Sequence, residues 1–180
     1  MKFNDVMPEC FIDTTFVGIL LDANVSHKHS CNEVAKEMVK GKYKDAFAVG
    51  IIDNDKRKLS YIEEFDEIGH TENLSLLKHS EKPHYIVKIG KEHKAMETFL
   101  QASVESIGMR MEDFDLPSDI DKLLEITKDN TSTQKDSRIL NLCKAIRQSP
   151  EVKKLQHVLS YLVKNKYNAD VDYLKCVING

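Results

Sequence analysis

The apolar positions of this chain follow two rhythms. Up to about residue 107, short apolar runs rich in β-branched residues alternate with stretches of helical period; from about residue 110 the apolar runs keep the helical period throughout. In the first part, Glu9-Cys10-Phe11-Ile12-Asp13 reads as a short first strand, and Thr14 as a cap for a helix carrying Phe16, Val17, Ile19, Leu20 and Leu21. That helix has almost no polar face, so it belongs in the interior. Residues 24–30 form a polar loop. Residues 31–39 read as an amphipathic helix with Val34, Ala35 and Met38 inside, closed by Gly41 as C-cap. Residues 45–53 are a continuous apolar run ending in acid, the pattern of a strand covered on both faces. Residues 60–68 read as a short amphipathic helix, 73–78 and 84–89 as strands around Ser80-Glu81-Lys82-Pro83, and 92–106 as a long helix with Ala95, Met96, Phe99, Leu100 and Val104 inward.

The second part is helical. Ser118 is placed to cap a helix carrying Ile120, Leu123 and Leu124. A second helix spans 137–147. Ser149-Pro150-Glu151 opens a third that runs to about residue 165, since proline is tolerated in a first helical turn. One more short helix closes the chain. The expected class is α/β: a small, mostly parallel sheet flanked by helices over residues 1–107, followed by an all-helical subdomain over 110–180.

At 180 residues the chain suits one domain with its own core. No apolar stretch approaches the length needed to cross a bilayer, and Met1-Lys2-Phe3-Asn4-Asp5 is not a signal peptide; a cytoplasmic protein without a membrane partner is expected. The four cysteines, Cys10, Cys31, Cys143 and Cys176, are scattered and contain no CxxC pair, so they read as free thiols. The net charge of −3 hides an asymmetry: residues 135–180 carry nine basic and four acidic side chains, and the remainder is acidic. A solvated lysine-rich helical face explains this; an acidic partner or nucleic acid would exploit it. Lys144, Arg147, Lys153, Lys154 and Lys164 could meet phosphates, but without exposed aromatics between them base stacking is not expected.

Candidate chemistry concentrates in Ala48-Val49-Gly50-Ile51-Ile52-Asp53-Asn54-Asp55-Lys56. Ligands of open parallel sheets bind beyond the carboxyl ends of the strands. Two acids in alternation there can reach one hard cation, and Mg²⁺ characteristically takes one or two carboxylates plus water and phosphate oxygens. The plain alternative is a polar turn that ends the strand. Asp13 would share that edge if the first strand runs parallel, and Glu97 interrupts an otherwise apolar helical face.

The order of strand, acid and helix, then apolar strand and Asp-x-Asp, then a helix with an acid ahead of an aromatic, resembles the TOPRIM fold. That fold serves topoisomerases, primases, overcoming-lysogeny-defect nucleases and small TOPRIM-related proteins encoded near restriction and phage-defence genes. In the family an early Glu follows the first strand, an Asp-x-Asp a later one, and a downstream helix carries a further Glu. Carried over, the early acid is Asp13, the metal pair is Asp53 and Asp55, and the downstream acid is Glu97 ahead of Phe99. The sequence departs in having Asp for the early Glu and no glycine after it. The resemblance spans residues 9–100. It implies Mg²⁺- or Mn²⁺-dependent phosphodiester hydrolysis or transfer, in mobile-element or phage defence. Asp53, Asp55 and Asp13 would be metal ligands; Asp13 and Glu97 would take catalytic parts, and Lys56 would offset phosphate charge. The rival is a catalytically inactive member of that fold, a binding or regulatory protein that docks a protein partner through an apolar patch on residues 118–164.

His27, His29 and Cys31 alternate, so an extended backbone would set them on one face, a zinc-like spacing lacking a fourth ligand; the alternatives are plain surface histidines, phosphate contact or proton transfer. No G-x-S-x-G elbow, Walker A sequence or G-x-G-x-x-G occurs, which removes the usual α/β-hydrolase and nucleotide-binding routes.

Overall fold

The computed structural model describes residues 1–54, 60–91, 94–128 and 133–180. Asp55 and Lys56 lie outside the described residues. The elements are β1 (Lys2–Phe3), β2 (Val6–Pro8), α1 (Phe11–Leu21), β3 (Asn24–Val25), α2 (Cys31–Val39), β4 (Ala48–Asp53), β5 (Phe65–His70), β6 (Leu74–His79), β7 (His84–Ile89), α3 (Ala95–Glu105), α4 (Ile120–Thr127), α5 (Ser137–Ala145), α6 (Pro150–Asn165) and α7 (Val171–Asn179). The class is α/β.

The main sheet has five strands in the order β2-β4-β7-β6-β5. β2, β4 and β7 run parallel, with Val49 opposite Val6 and Tyr85. β6 and β5 extend the sheet antiparallel. The sheet is therefore mixed. The sequence spacing of β6 and β7 allows either a hairpin or merely neighbouring strands; their connection is a hairpin over residues 80–83. β4 is flanked on both sides and faces helices on both surfaces, which explains its unbroken apolar run: Val49 and Ile51 enter one core, Ala48 and Ile52 the other.

The larger core joins α1 and α3 to α5, α6 and α7 and runs continuously from Val6 to Ile178, across the expected boundary near residue 108. The smaller core seats α2 on the opposite face of the sheet. Gly50 makes that seat possible, because a Cβ there would lie 2.7 Å from Val34 Cγ1.

Four sequence readings are corrected. The first strand is Val6–Pro8, and Glu9–Asp13 leaves it: Cys10 is the extended N-cap of α1, and Asp13 sits in the first helical turn. Period alone does not separate a short apolar run in a strand from the start of a buried helix. Cys10, not Thr14, is thus the cap. Residues 60–68 are a short 3₁₀ turn (Ser60–Glu64) followed by β5, because pairing with β6 and cover from α7 outweigh the helical spacing of Tyr61, Phe65 and Ile68. Asp119, whose carboxylate accepts the Lys122 N–H at 3.0 Å, caps α4 in place of Ser118.

Candidate active site at the carboxyl edge of the parallel strands

β2, β4 and β7 all point their carboxyl ends toward one edge, and the chain turns there three times. β2 ends into Glu9 and the start of α1. β4 ends in Asp53. β7 ends at Ile89-Gly90 ahead of α3, whose first turn carries Glu97. Gly90 has φ +78°, and a Cβ on it would lie 2.0 Å from the Ala95 carbonyl oxygen. Only glycine brings α3 this close to the strand end.

A cavity of about 600 Å³ opens between these turns, lined among others by Glu9, Phe11, His27, Asp53, Glu97 and Thr127. Glu9 is buried, and its Oε2 accepts the Asp53 backbone N–H at 3.2 Å, joining the ends of β2 and β4. Asp53 is half-buried. Glu97 is 5% exposed, so it does not face solvent, and accepts the Thr127 hydroxyl hydrogen from the end of α4. Lys94, also at the cavity, pairs with Asp121.

Asp13 lies behind this wall, 1% exposed. One oxygen accepts the Cys10 N–H at 3.3 Å, an ordinary acid position in a first helical turn. The other is buried and, among the described residues, has no hydrogen-bond partner. Burial first, then the charges of Glu9 and Glu97, raise its pKa to about 7, with the Cys10 groups opposing the rise. Burial, and after it the charge of Asp13, push the Cys10 thiol well above its usual value, so it is a neutral thiol and not a nucleophile.

The 26–28 segment runs beside β2 through Ser26 N–H to Val6 and Lys28 N–H to Pro8, which sets His27 against α1. Its ring stacks on Phe11 at 4.0 Å. The Thr14 hydroxyl donates to the Cys10 carbonyl at 2.7 Å, so its oxygen accepts from His27 Nδ1–H at 3.0 Å. Neutral His27 therefore keeps its proton on Nδ1, and Nε2 holds a bare lone pair with no partner. Burial, then the neighbouring His29, lower its pKa. Cys31 does not join the histidines: it opens α2 and is buried in the smaller core. A zinc trio is therefore not formed.

Of the sequence candidates, Asp53 and Glu97 reach one cavity, Asp13 sits immediately behind it, and Asp55 and Lys56 fall outside the described residues. Sequence reasoning misses Glu9. It directly follows a strand, the position in which the resemblance expects an early Glu, and taking residues 9–13 as strand conceals it. Among the described residues, no three His, Cys, Asp or Glu side chains form a ready-made metal cluster. A zinc-type cage of protein ligands thus does not fit. A hydrated Mg²⁺ does fit the donor chemistry, because it needs only one or two carboxylates, and Glu9, Asp53 and Glu97 line the cavity. Comparison with protein-family models, curated proteins and solved structures finds no match.

Proposed function

We propose that this chain is a TOPRIM-like, divalent-metal-dependent phosphodiester-cleaving or phosphotransfer domain acting on nucleic acid. One observation carries the reading: Glu9, Asp53 and Glu97, from three separate turns of the chain, line one cavity large enough for a nucleotide at the carboxyl edge of the parallel strands, with buried Asp13 behind them. Burying Asp13, with Glu9 and Glu97 adding to the effect, raises its pKa to about 7; a buried charge of this kind is unfavourable for folding, and a bound cation offsets that cost.

Asp53 and Glu9 would hold Mg²⁺ or Mn²⁺, with Asp55 beside them in sequence; when bound, the ion neutralises phosphoryl oxygens and lowers the pKa of water. The chain's own groups do the positioning. Glu9 fixes the Asp53 backbone, Thr127 orients Glu97, and Asp13, which is half-protonated near pH 7, buffers the charge behind them. Lys128 adds positive charge at the rim. A place in mobile-element or phage defence rests on the resemblance alone.

The rival, an inactive docking protein, gains nothing from residues 118–164. Among the described residues, the large apolar side chains that are exposed are Met1, Tyr167 and Tyr173. The test is cleavage of labelled DNA and RNA with Mg²⁺, Mn²⁺ or EDTA. Metal-dependent cleavage lost in Asp53→Asn and Glu9→Gln supports the enzyme. Wild-type protein inert with every metal and substrate sinks it.

A further inference from the structure

On the side of the molecule formed by α6 and α7, a groove of about 460 Å³ is lined by Lys153, His157, Ser160, Tyr161, Lys164 and Tyr173, among others. The α6 residues recur at intervals of three and four, so they form one stripe along that helix. Lys153 and Lys164 stand about 16 Å apart along the axis at a rise of 1.5 Å per residue. Among the described residues, no carboxylate lines the groove and neither lysine has an ion-pair partner. The groove lies within the segment with nine basic and four acidic side chains.

Between the two lysines the structure supplies the aromatic surface that the sequence spacing did not suggest. Tyr173 reaches across from α7 and is 40% exposed. Its ring lies 4.4 Å from that of Tyr161, and its hydroxyl meets His157 Nε2 at 2.7 Å. The Tyr161 hydroxyl is itself held by the Asp170 N–H at 3.1 Å, and α6 is anchored to α1 by Gln156 Nε2–H donating to the Leu20 carbonyl at 2.8 Å. The rings are fixed before any ligand arrives, so stacking on them costs little ordering entropy.

We infer that the α6–α7 groove binds a single strand of nucleic acid, with phosphates on Lys153 and Lys164 and a base on Tyr173. An aromatic platform between unpaired cations suits an unstacked base on a polyanionic backbone, whereas an acidic protein helix needs no such platform. The inference rests on the nucleic-acid reading above for its purpose, but on different residues.

The test is fluorescence anisotropy of labelled single-stranded DNA and RNA oligonucleotides, and of the matching duplex, in EDTA. Lys153→Glu with Lys164→Glu should weaken single-strand binding at least tenfold and reduce the slope of log affinity against log salt by about 1.4. Tyr173→Ala should weaken it about 5- to 100-fold without changing that slope. Lys36→Glu on α2 should bind like wild type. Unchanged thermal melting of each variant confirms that it folds. Groove variants that bind like wild type overturn the inference, as does a wild type that takes polyglutamate and no oligonucleotide. A wild type that binds single strands through the groove but cleaves nothing with any metal would instead count against the active-site proposal alone.

Discussion

Replacing Asp13 by Asn tests the cost of burying a carboxylate at the sheet edge, beside Glu9 and Glu97. The carboxyl group is raised from an ordinary 3.8 to about 7 in the folded protein. Below pH 3.8 both folded and unfolded chains hold the proton, and it contributes nothing. Between these values the folded chain keeps a proton that the unfolded chain has lost, so stability falls as pH rises. Above about pH 7 the destabilisation is complete, roughly 4 kcal/mol, because each pH unit between the two values is worth about 1.36 kcal/mol. Asn removes the charge but weakens the bond from Cys10 N–H, which costs about 1 kcal/mol. Asp13→Asn should therefore be about 3 kcal/mol more stable than wild type at pH 8, a melting point higher by about 6–12 °C for a chain of this size. The advantage should vanish near pH 4. Urea melts at pH 4, 6 and 8 with equal m-values measure it. A variant no more stable than wild type at pH 8, or an advantage independent of pH, would refute the cost assigned to the buried Asp13 carboxylate.

Further predictions follow the same geometry. Gly90→Ala must accept a left-handed backbone, about 1–2 kcal/mol, and displace the Ala95 carbonyl, about 1–3 kcal/mol more; chemical denaturation should show the combined loss, and divalent-metal affinity should drop as α3 shifts. Thr127→Val leaves Glu97 without its donor, and a hydrogen bond to a charged group is worth about 1.5–3 kcal/mol; denaturation at pH 8 should show that loss, and an unchanged midpoint contradicts the pairing. Phe99→Ala empties the centre of the larger core, where the ring meets Phe16 at 5.9 Å, and should cost about 3–5 kcal/mol. With a thiol reagent, exposed Cys176 should react at once, while Cys143, fully buried with its pKa raised to about 12, should react only on unfolding.

Much of the fold was legible because strong periodicity and turn chemistry agree. The β4 run, helix 31–39, strands β6 and β7 and the proline-started α6 were all readable. The failures share a cause: Phe11-Ile12 and Tyr61 to Ile68 are short apolar stretches whose structure is decided by partners far along the chain. Asp53 and Glu97 could be singled out as acids in apolar surroundings. Glu9 could not, because its importance depends on where β2 stops, and Tyr173 joins the α6 lysines only through the packing of α7.

If Glu9 and Asp53 hold a divalent ion at the ends of β2 and β4, titration of the protein into Mn²⁺, followed by the electron paramagnetic resonance signal of the free ion, tests it directly. The signal should fall to a one-to-one endpoint with wild type, be restored by Mg²⁺, and persist with Asp53→Asn or Glu9→Gln. Undiminished signal with wild type, or equal loss with both variants, would contradict the account.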